Sequence, residues 1–410
     1  MTRPIYLDHH ATTPVDPRVL EAMLPFLREE FGNAASRSHA YGWRAEAALE
    51  MAREDVASAL GAADPREIVF TSGATESDNL ALLGAARARR RGHVVISALE
   101  HPAVRDPVAA LEREGFRVTV VPVGEEGVVA PDDVAAALEA DTVLVSVMWA
   151  NNEIGTVQPV AEIAARCRER GVPFHTDAAQ AVGRLAVDVR AAGVDLLSLS
   201  GHKLYGPKGI GALYVRRGRP RVRIEPIVHG GGHEHGLRSG TVPVFLAVGL
   251  ARALALAEDD RDVEVRRVAG LRDRLLRGLR EGLDGVRVNG SLEARLPGNL
   301  HVSIDGVPAD ALLARTPELA FSTGSACSSA RPEPSRVLAA LGLPEERIRE
   351  GFRLGLGRGT GADEVDRAVS VLVEAARALR EERAAASRLP QGAANLAASP
   401  APGVDPRAGS

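Results

Sequence analysis

The stretch Leu196-Leu-Ser-Leu-Ser-Gly-His-Lys-Leu-Tyr-Gly-Pro-Lys208 joins a short apolar run to a polar turn, and that turn holds both lysines of a 410-residue chain. Of 50 Lys and Arg residues, all but Lys203 and Lys208 are arginine. As solvated surface charges the two types are nearly exchangeable, but a guanidinium keeps its proton and cannot condense with an aldehyde. A lysine retained against that bias points to chemistry. Lys208 sits between Pro207 and Gly209, a tight turn that suits a solvated charge, whereas Lys203 follows directly on a strand-like run and is the candidate nucleophile.

Working outward from Leu196–Leu199, short runs rich in Val and Ile recur at Glu67–Phe70, His93–Ser97, Val118–Val123, Thr142–Trp149, Pro173–Thr176 and Ile210–Val215, separated by amphipathic segments. Such alternation predicts an α/β fold with a mostly parallel sheet covered on both faces. Ligands of these sheets collect beyond the C-terminal strand ends. The residues there are Ser72-Gly-Ala-Thr75, Glu100-His101, Asn151-Asn152, Asp177 and Ser200 to Lys203. Upstream lie an N-terminal stretch, Tyr6–Thr13, and a helical segment, Pro17–Glu30. From Thr241 the chain turns to Ala/Leu/Arg-rich helices through about Gly285 and then to a smaller mixed unit containing Asn299–Ile304, Pro308–Leu319 and Phe352–Leu356. We expect residues 1–15 to join the small domain, 16–258 to form the large one, 259–386 a small α+β domain, and 387–410 an unstructured tail of Ala, Pro, Gly and Ser.

A net charge of -4 with interspersed signs offers no basic face for nucleic acid. The N-terminus lacks a signal-peptide pattern and no apolar run reaches the roughly 20 residues of a membrane helix, so the expectation is a cytoplasmic protein without direct nucleic-acid or membrane contact. Two cysteines are too few for a disulfide framework. Cys167, within Ala164-Ala-Arg-Cys-Arg-Glu, has the helical setting of a structural thiol. Cys327, within Phe321-Ser-Thr-Gly-Ser-Ala-Cys-Ser-Ser-Ala-Arg331, lies in a small, polar stretch with nothing to bury, where a thiolate can approach a substrate and leave with a product.

The strand-end residues form a set with one chemical meaning. Asp177 is a carboxylate at a strand terminus, which either caps the next helix or needs a cationic partner. Ser72-Gly-Ala-Thr75-Glu76 joins strand to helix, so it is either an ordinary N-cap with a capping acid or a phosphate cradle of backbone N–H groups with the Thr75 hydroxyl, to which Ser200 and His202 add donors. His101 offers a flat ring and a titratable nitrogen, although a lone histidine is more often structural. A lysine for an aldehyde, a carboxylate for a pyridinium nitrogen, a phosphate cradle and a flat stacking group are what pyridoxal 5'-phosphate asks of a protein. Gln180, three residues after Asp177, is placed for the ring oxygen. Arg353, in Gly351-Phe-Arg-Leu-Gly-Leu-Gly357, is one of many arginines, yet its type suits a carboxylate grip.

The chain resembles the cysteine desulfurases of the NifS/IscS kind, from Ile5-Tyr-Leu-Asp-His-His-Ala-Thr-Thr-Pro14 to about Arg383. The shared segments include Phe31-Gly-Asn, Ser36-Arg-Ser-His39, Ile68-Val-Phe-Thr-Ser-Gly-Ala-Thr-Glu-Ser-Asp-Asn79, Asn151-Asn-Glu-Ile-Gly155, Ser200-Gly-His-Lys-Leu-Tyr-Gly-Pro-Lys-Gly209, Gly230-Gly-Gly-His-Glu, Arg238-Ser-Gly-Thr241 and Gly324-Ser-Ala-Cys327. The resemblance implies the aminotransferase-like fold type I of pyridoxal enzymes and a homodimer in which Thr241 completes the neighbour's phosphate site. It implies Lys203 as the cofactor lysine, Ala74, Thr75, Ser200 and His202 around the phosphate, Asp177 on the ring nitrogen, Gln180 on the ring oxygen and His101 stacked on the ring. Asn152, also beside the cofactor, and Arg353 would orient L-cysteine. Cys327 would take its sulfur as a persulfide, release L-alanine, pass the sulfur to an acceptor such as an iron-sulfur cluster scaffold, and serve as a transient iron-sulfur ligand shared with that partner. His235 and Ala34 depart from the family's usual Arg and Pro, and the tail beyond Arg383 is unlike the family's scaffold-docking segment. A selenocysteine lyase or a related pyridoxal lyase or aminotransferase shares the cofactor set, but an aminotransferase has no use for the Cys327 thiol. A non-catalytic scaffold subunit would not need Lys203, Asp177, His101 and Cys327 together.

Overall fold

The computed structural model describes residues 3–218, 221–323 and 334–388. Its strands are β1 (Ile5–Tyr6), β2 (Ile68–Thr71), β3 (His93–Ser97), β4 (Arg117–Val121), β5 (Thr142–Ser146), β6 (Phe174–Asp177), β7 (Leu196–Ser200), β8 (Gly211–Val215), β9 (Val286–Val288), β10 (Asn299–Ile304), β11 (Leu319–Ala320) and β12 (Gly351–Gly355). Seven of them form one sheet in the order β2-β8-β7-β6-β5-β3-β4. β7, β6, β5, β3 and β4 run parallel, and β8 lies antiparallel to both β2 and β7. The expected α/β architecture is therefore present, with the sheet mixed at one side. Every residue of β2, β3, β6, β7 and β8 is buried, as strands covered on both faces must be.

Local sequence accounts for most departures from the expected boundaries. The segment Pro17–Glu30 forms two helices, Pro17–Met23 and Pro25–Arg28, because Pro25 has no N–H to continue the first. β5 ends at Ser146 rather than Trp149, although the Val147 and Trp149 N–H groups still reach the carbonyls of His175 and Asp177 on the neighbouring strand at 3.1 and 2.8 Å. The helix Ala40–Ala59 was not anticipated and packs along the helix Val244–Gly282. The last helix, Ala362–Arg388, runs beyond Arg383 on an Ala-rich segment of high helix propensity. Residues 389–410 of the expected tail lie outside the described residues.

The 39-residue helix Val244–Gly282 contributes its N-terminal half, through Leu256, to the core beneath the large sheet. Val268 to Leu279 belong to a second core with β10, β12 and the last helix. That second core contains the three-stranded antiparallel sheet β12-β10-β9. β1 pairs in parallel with β11, and Asp8 bridges to Gly355, which fastens the N-terminus to this unit. No helix among the described residues is long and apolar enough to cross a membrane.

One buried ion pair braces the approach to the sheet edge. Arg53, from the helix Ala40–Ala59, is 2% exposed and meets both oxygens of Glu234 at 2.7 and 2.8 Å. Glu234 also accepts the Phe70 N–H at 2.7 Å, and Arg53 donates to the Ile68 carbonyl at 2.9 Å. The loop carrying Glu234 is thereby pinned to β2, the strand that leads into Ser72–Thr75. Removing one member of such a pair leaves the other buried and uncompensated, at a cost of about 3–5 kcal/mol. Glu234→Ala is expected to lose stability on that scale in urea unfolding. A change below about 1 kcal/mol, the scale of an exposed pair, would show that Arg53 finds water or another partner.

Candidate active site

The C-terminal strand ends converge as the chain order predicted, and glycine makes the closest approach possible. Gly211 opens β8 beside the turn after β2, and a Cβ there would lie 2.4 Å from the Leu199 carbonyl oxygen and 2.7 Å from the Gly73 Cα. Gly73 itself has φ 151°, open mainly to glycine, and caps the helix Ala74–Arg87 without a side-chain hydrogen bond to its first-turn N–H groups. Among the described residues no side chain takes those donors, at the helix end where an anion is favoured. Ser72 N–H is already taken by Glu76 at 2.8 Å, so the capping acid and the open cradle coexist on successive residues. Ala74 is half-buried and Thr75 exposed, while Ser200 is buried and its Oγ lies 3.6 Å from where a Gly73 Cβ would stand. His202, half-buried, is held through Nδ1 to Thr12 Oγ1 at 3.0 Å.

Lys203 stands on the short helical turn that follows β7, and its Nζ donates to the carbonyls of His10 and Ala11 at 2.7 and 2.8 Å. Asp177 ends β6, is buried, and accepts the Ala179 N–H at 2.9 Å through one oxygen. Burial pushes its carboxyl above the ordinary range, against the pull of that N–H, of Lys203 and, when its ring is protonated, of His101. Among the described residues the one hydrogen bond to this carboxyl is from a backbone N–H, and a pyridinium nitrogen would supply a cation at direct contact. His101 is lowered by burial and by Lys203, so it is neutral, and its Nδ1 accepts the Ala103 N–H at 3.1 Å. That bond leaves the proton on Nε2. His101, Asp177 and Lys203 therefore feel one another in one buried neighbourhood beside the anion-favouring helix end. This set fits pyridoxal phosphate. Gln180 lies on the same side, bonded to His10.

A cleft of about 1530 Å³ opens beside His101, lined also by Asp8, Glu100, Arg105, Asn152 and Glu153. Arg353 lies under it, 1% exposed, donating to the Asn152 carbonyl at 2.7 Å and to Asp8 at 2.6 Å. The two expected substrate residues are thus brought together, but the guanidinium is already paired with Asp8, a partner the sequence reading did not assign. Thr241 is exposed just before the long helix. Lys208 is exposed, and Cys167 is buried in the large core with its thiol pushed up to about 12 by desolvation. Cys327 lies outside the described residues, although Thr323 and Pro334, at either side of 324–333, both border the cleft.

Glu100 is the residue whose role the strand-end rule located without explaining. Its Oε1 accepts the Ser97 hydroxyl at 2.5 Å and the Met148 N–H at 2.9 Å, and its Oε2 is buried without a partner among the described residues. Burial pushes the group up to about 8, so it holds its proton at neutral pH, and Oε2, which receives no donor, is the oxygen free to carry it. It clips the end of β3 to the end of β5 immediately before His101.

The fold, with a half-buried Lys203 and His101 beside a buried Asp177, defines an enzyme of the aminotransferase-like type I fold. The family model for class-V aminotransferases matches residues 5–368. The chain is 55% identical over 383 residues to the cysteine desulfurase IscS of Anaeromyxobacter dehalogenans, covering 93% of this chain and 94% of that one. It is 50% identical to a cysteine desulfurase of Rattus norvegicus over 92% of this chain and 84% of that one. Among solved structures, a NifS-like protein superposes with a TM-score of 0.84 at 36% identity, covering 90% of this chain and 98% of that one. DndA from Streptomyces lividans superposes at 0.74 and 41% identity, over 85% and 98%. The chain belongs to the cysteine desulfurase family of the class-V aminotransferases, whose members depend on pyridoxal phosphate.

The acid at Glu100 has a signature in stability. Its folded value lies above its ordinary 4.5, so the folded chain holds a proton that the unfolded chain releases. Stability is expected to fall as pH rises from about 4.5 through about 8 and to level off above that. Glu100→Gln keeps an acceptor for both donors and cannot ionise. Urea unfolding from about pH 5 to about pH 9 should show a smaller loss for the variant than for the wild type; equal losses would assign the linkage to other groups.

Proposed function

We propose that this chain is a pyridoxal-phosphate-dependent cysteine desulfurase that converts L-cysteine to L-alanine and leaves the sulfur as a persulfide on Cys327. The observation that carries this reading is that Lys203, Asp177 and His101 act electrostatically on one another at the C-terminal edge of the sheet, beside the open N-terminus of Ala74–Arg87. When bound, the cofactor supplies an electron sink for the substrate's α-carbon. Lys203 would hold it covalently, Asp177 its ring nitrogen, Gln180 its ring oxygen, and Ala74, Thr75, Ser200 and His202 its phosphate. Thr241, exposed on one chain, would complete the phosphate site of a second copy in a homodimer.

The remaining residues bind and orient. Asn152 and Arg353 would receive the substrate carboxylate, which must compete with Asp8 for the guanidinium. His101 offers its ring face and an Nε2–H, since acting as a base at Nε2 would require the proton to move to Nδ1 and the bond from Ala103 to break. Glu100, as a neutral acid, keeps a second negative charge away from Asp177. The Cys327 thiolate attacks the substrate sulfur, the carbon–sulfur bond breaks with its electrons going to carbon, which takes up a proton on the way to L-alanine, and the outer sulfur of the Cys327 persulfide passes to an acceptor protein such as an iron-sulfur cluster scaffold. Cys327 would be a transient iron-sulfur ligand in that complex. Charges of both signs are interspersed along the sequence with a net charge of -4, which offers no sustained basic stretch for nucleic acid or an anionic membrane.

The purified protein should be yellow, and Lys203→Arg should lose both the covalently held chromophore and alanine formation, because arginine stays protonated. Full activity in Lys203→Arg would overturn the cofactor assignment. Cys327→Ser should keep the chromophore and its spectral response to cysteine yet form no alanine, because a hydroxyl is a far poorer nucleophile toward sulfur. Cys167→Ser should form alanine at close to the wild-type rate, since that thiol is buried and raised. Equal loss in both cysteine variants would point to structural roles instead.

A further inference from the structure

His10 comes from the N-terminal segment, is 1% exposed, and exchanges two hydrogen bonds with Gln180. Its Nδ1 lies 3.0 Å from Gln180 Oε1, and Gln180 Nε2 donates to the His10 carbonyl at 2.9 Å. The second bond decides the first. A carbonyl oxygen only accepts, so the amide atom facing it is the NH2, the atom facing the imidazole is the oxygen, and His10 Nδ1 carries a proton. Burial, together with the nearby charges of Arg184, Arg353 and Lys203, keeps the ring neutral. Nε2 therefore holds a bare lone pair, and it is buried without a partner among the described residues. The Gln180 amide retains one N–H beyond the bond to His10. Among the described residues its oxygen has otherwise only Arg184 Nη1, at 3.4 Å.

We propose that His10 is a positioning residue for the cofactor's ring oxygen: its Nδ1–H and its carbonyl together lock the Gln180 amide in the one orientation that presents an N–H to that oxygen. This rests on the reading of Gln180 as the ring-oxygen partner. A flipped amide would set its carbonyl against the ring oxygen and against the His10 carbonyl, so two acceptor pairs would replace two hydrogen bonds. The same His10 carbonyl also receives Lys203 Nζ at 2.7 Å. A single peptide unit therefore fixes both the amide and the seat of the lysine.

The test is equilibrium dialysis of the purified holoenzyme to obtain the dissociation constant of pyridoxal 5'-phosphate, with the visible absorption maximum read alongside. His10→Leu keeps the carbonyl and removes the ring donor; it is expected to weaken cofactor retention roughly fivefold, the worth of one net hydrogen bond, and to shift the absorption maximum. His10→Asn, whose Nδ2 superposes on the imidazole Nδ1, should restore both. In a Gln180→Ala background His10→Leu should add nothing, because its effect runs through the amide. If Gln180→Ala leaves retention and spectrum unchanged, the reading of Gln180 fails. If Gln180→Ala weakens retention while His10→Leu does not, or if the two losses simply add, His10 is a packing residue and the proposal is overturned. Should His10→Leu not fold, His10→Phe supplies a flat ring without a donor and is judged by the same outcomes.

Discussion

Lys203 Nζ rests between the carbonyl oxygens of His10 and Ala11, and most of the candidate site depends on the N-terminal segment that supplies them. Thr13 in the same segment donates its hydroxyl to the His202 carbonyl at 2.9 Å and accepts the Tyr205 N–H at 2.8 Å, so the lysine turn is held from both sides. The segment also reaches the other core. Asp8 pairs with Arg353, the His9 N–H meets the Gly355 carbonyl, and Asp16 pairs with Arg358. A stretch that contributes only the two-residue β1 to any sheet is thus the strap between the lysine turn after β7 and the strand that carries Arg353. Its backbone carbonyls do work that side chains do elsewhere, because buried polar groups must find partners wherever the chain can provide them.

The second constraint is a shortage of cations behind the sheet edge. Asp177 and Asp78 are both buried and raised by desolvation, and Asp78 is raised further by Asp177 and Glu100. The histidine facing Asp78 does not relieve it. His175 Nε2 lies 3.5 Å from Asp78 Oδ1, but burial holds the ring down to about 3, and it bonds Ser146 and Ser198 instead. Several acids and neutral imidazoles in one sealed region can carry little net charge. The favourable place for a negative charge is Asp177, the buried acid on which Lys203 acts. Neutral acids at Asp78 and Glu100 make that assignment sharper.

The large sheet was legible in the sequence because β-strands covered on both faces must be short and apolar, and the chain spells them as Val- and Ile-rich runs between amphipathic segments. The mixed side was not. Nothing in Gly211–Val215 announces that it runs antiparallel between β2 and β7, since direction is set by the connection and not by the residues of the strand. The helix Ala40–Ala59 is not marked in the sequence because its apolar positions are mostly alanine, which gives a weak stripe. The two-residue β1 and β11 are too short to carry a period of two and exist only because each provides the other's partner.

At the site, composition and strand-end position alone singled out Lys203, Asp177, His101 and Ser200, because a chain that writes arginine for surface charge marks its exceptional lysine and an α/β sheet fixes where polar residues gather. Flanking residues set the two cysteines apart in the sequence, and the helical one, Cys167, is buried in the large core. What the sequence by itself determined, then, was the class of fold, the edge at which chemistry collects and the residue types assembled there. The tertiary structure decided the pairings: Asp8 on Arg353, His10 on Gln180 and Lys203, Glu100 between Ser97 and Met148, Arg53 under Glu234. These join residues as far as 345 positions apart. Hydrogen-bond geometry and desolvation act over a few ångströms, and only the folded chain determines which groups come within that range.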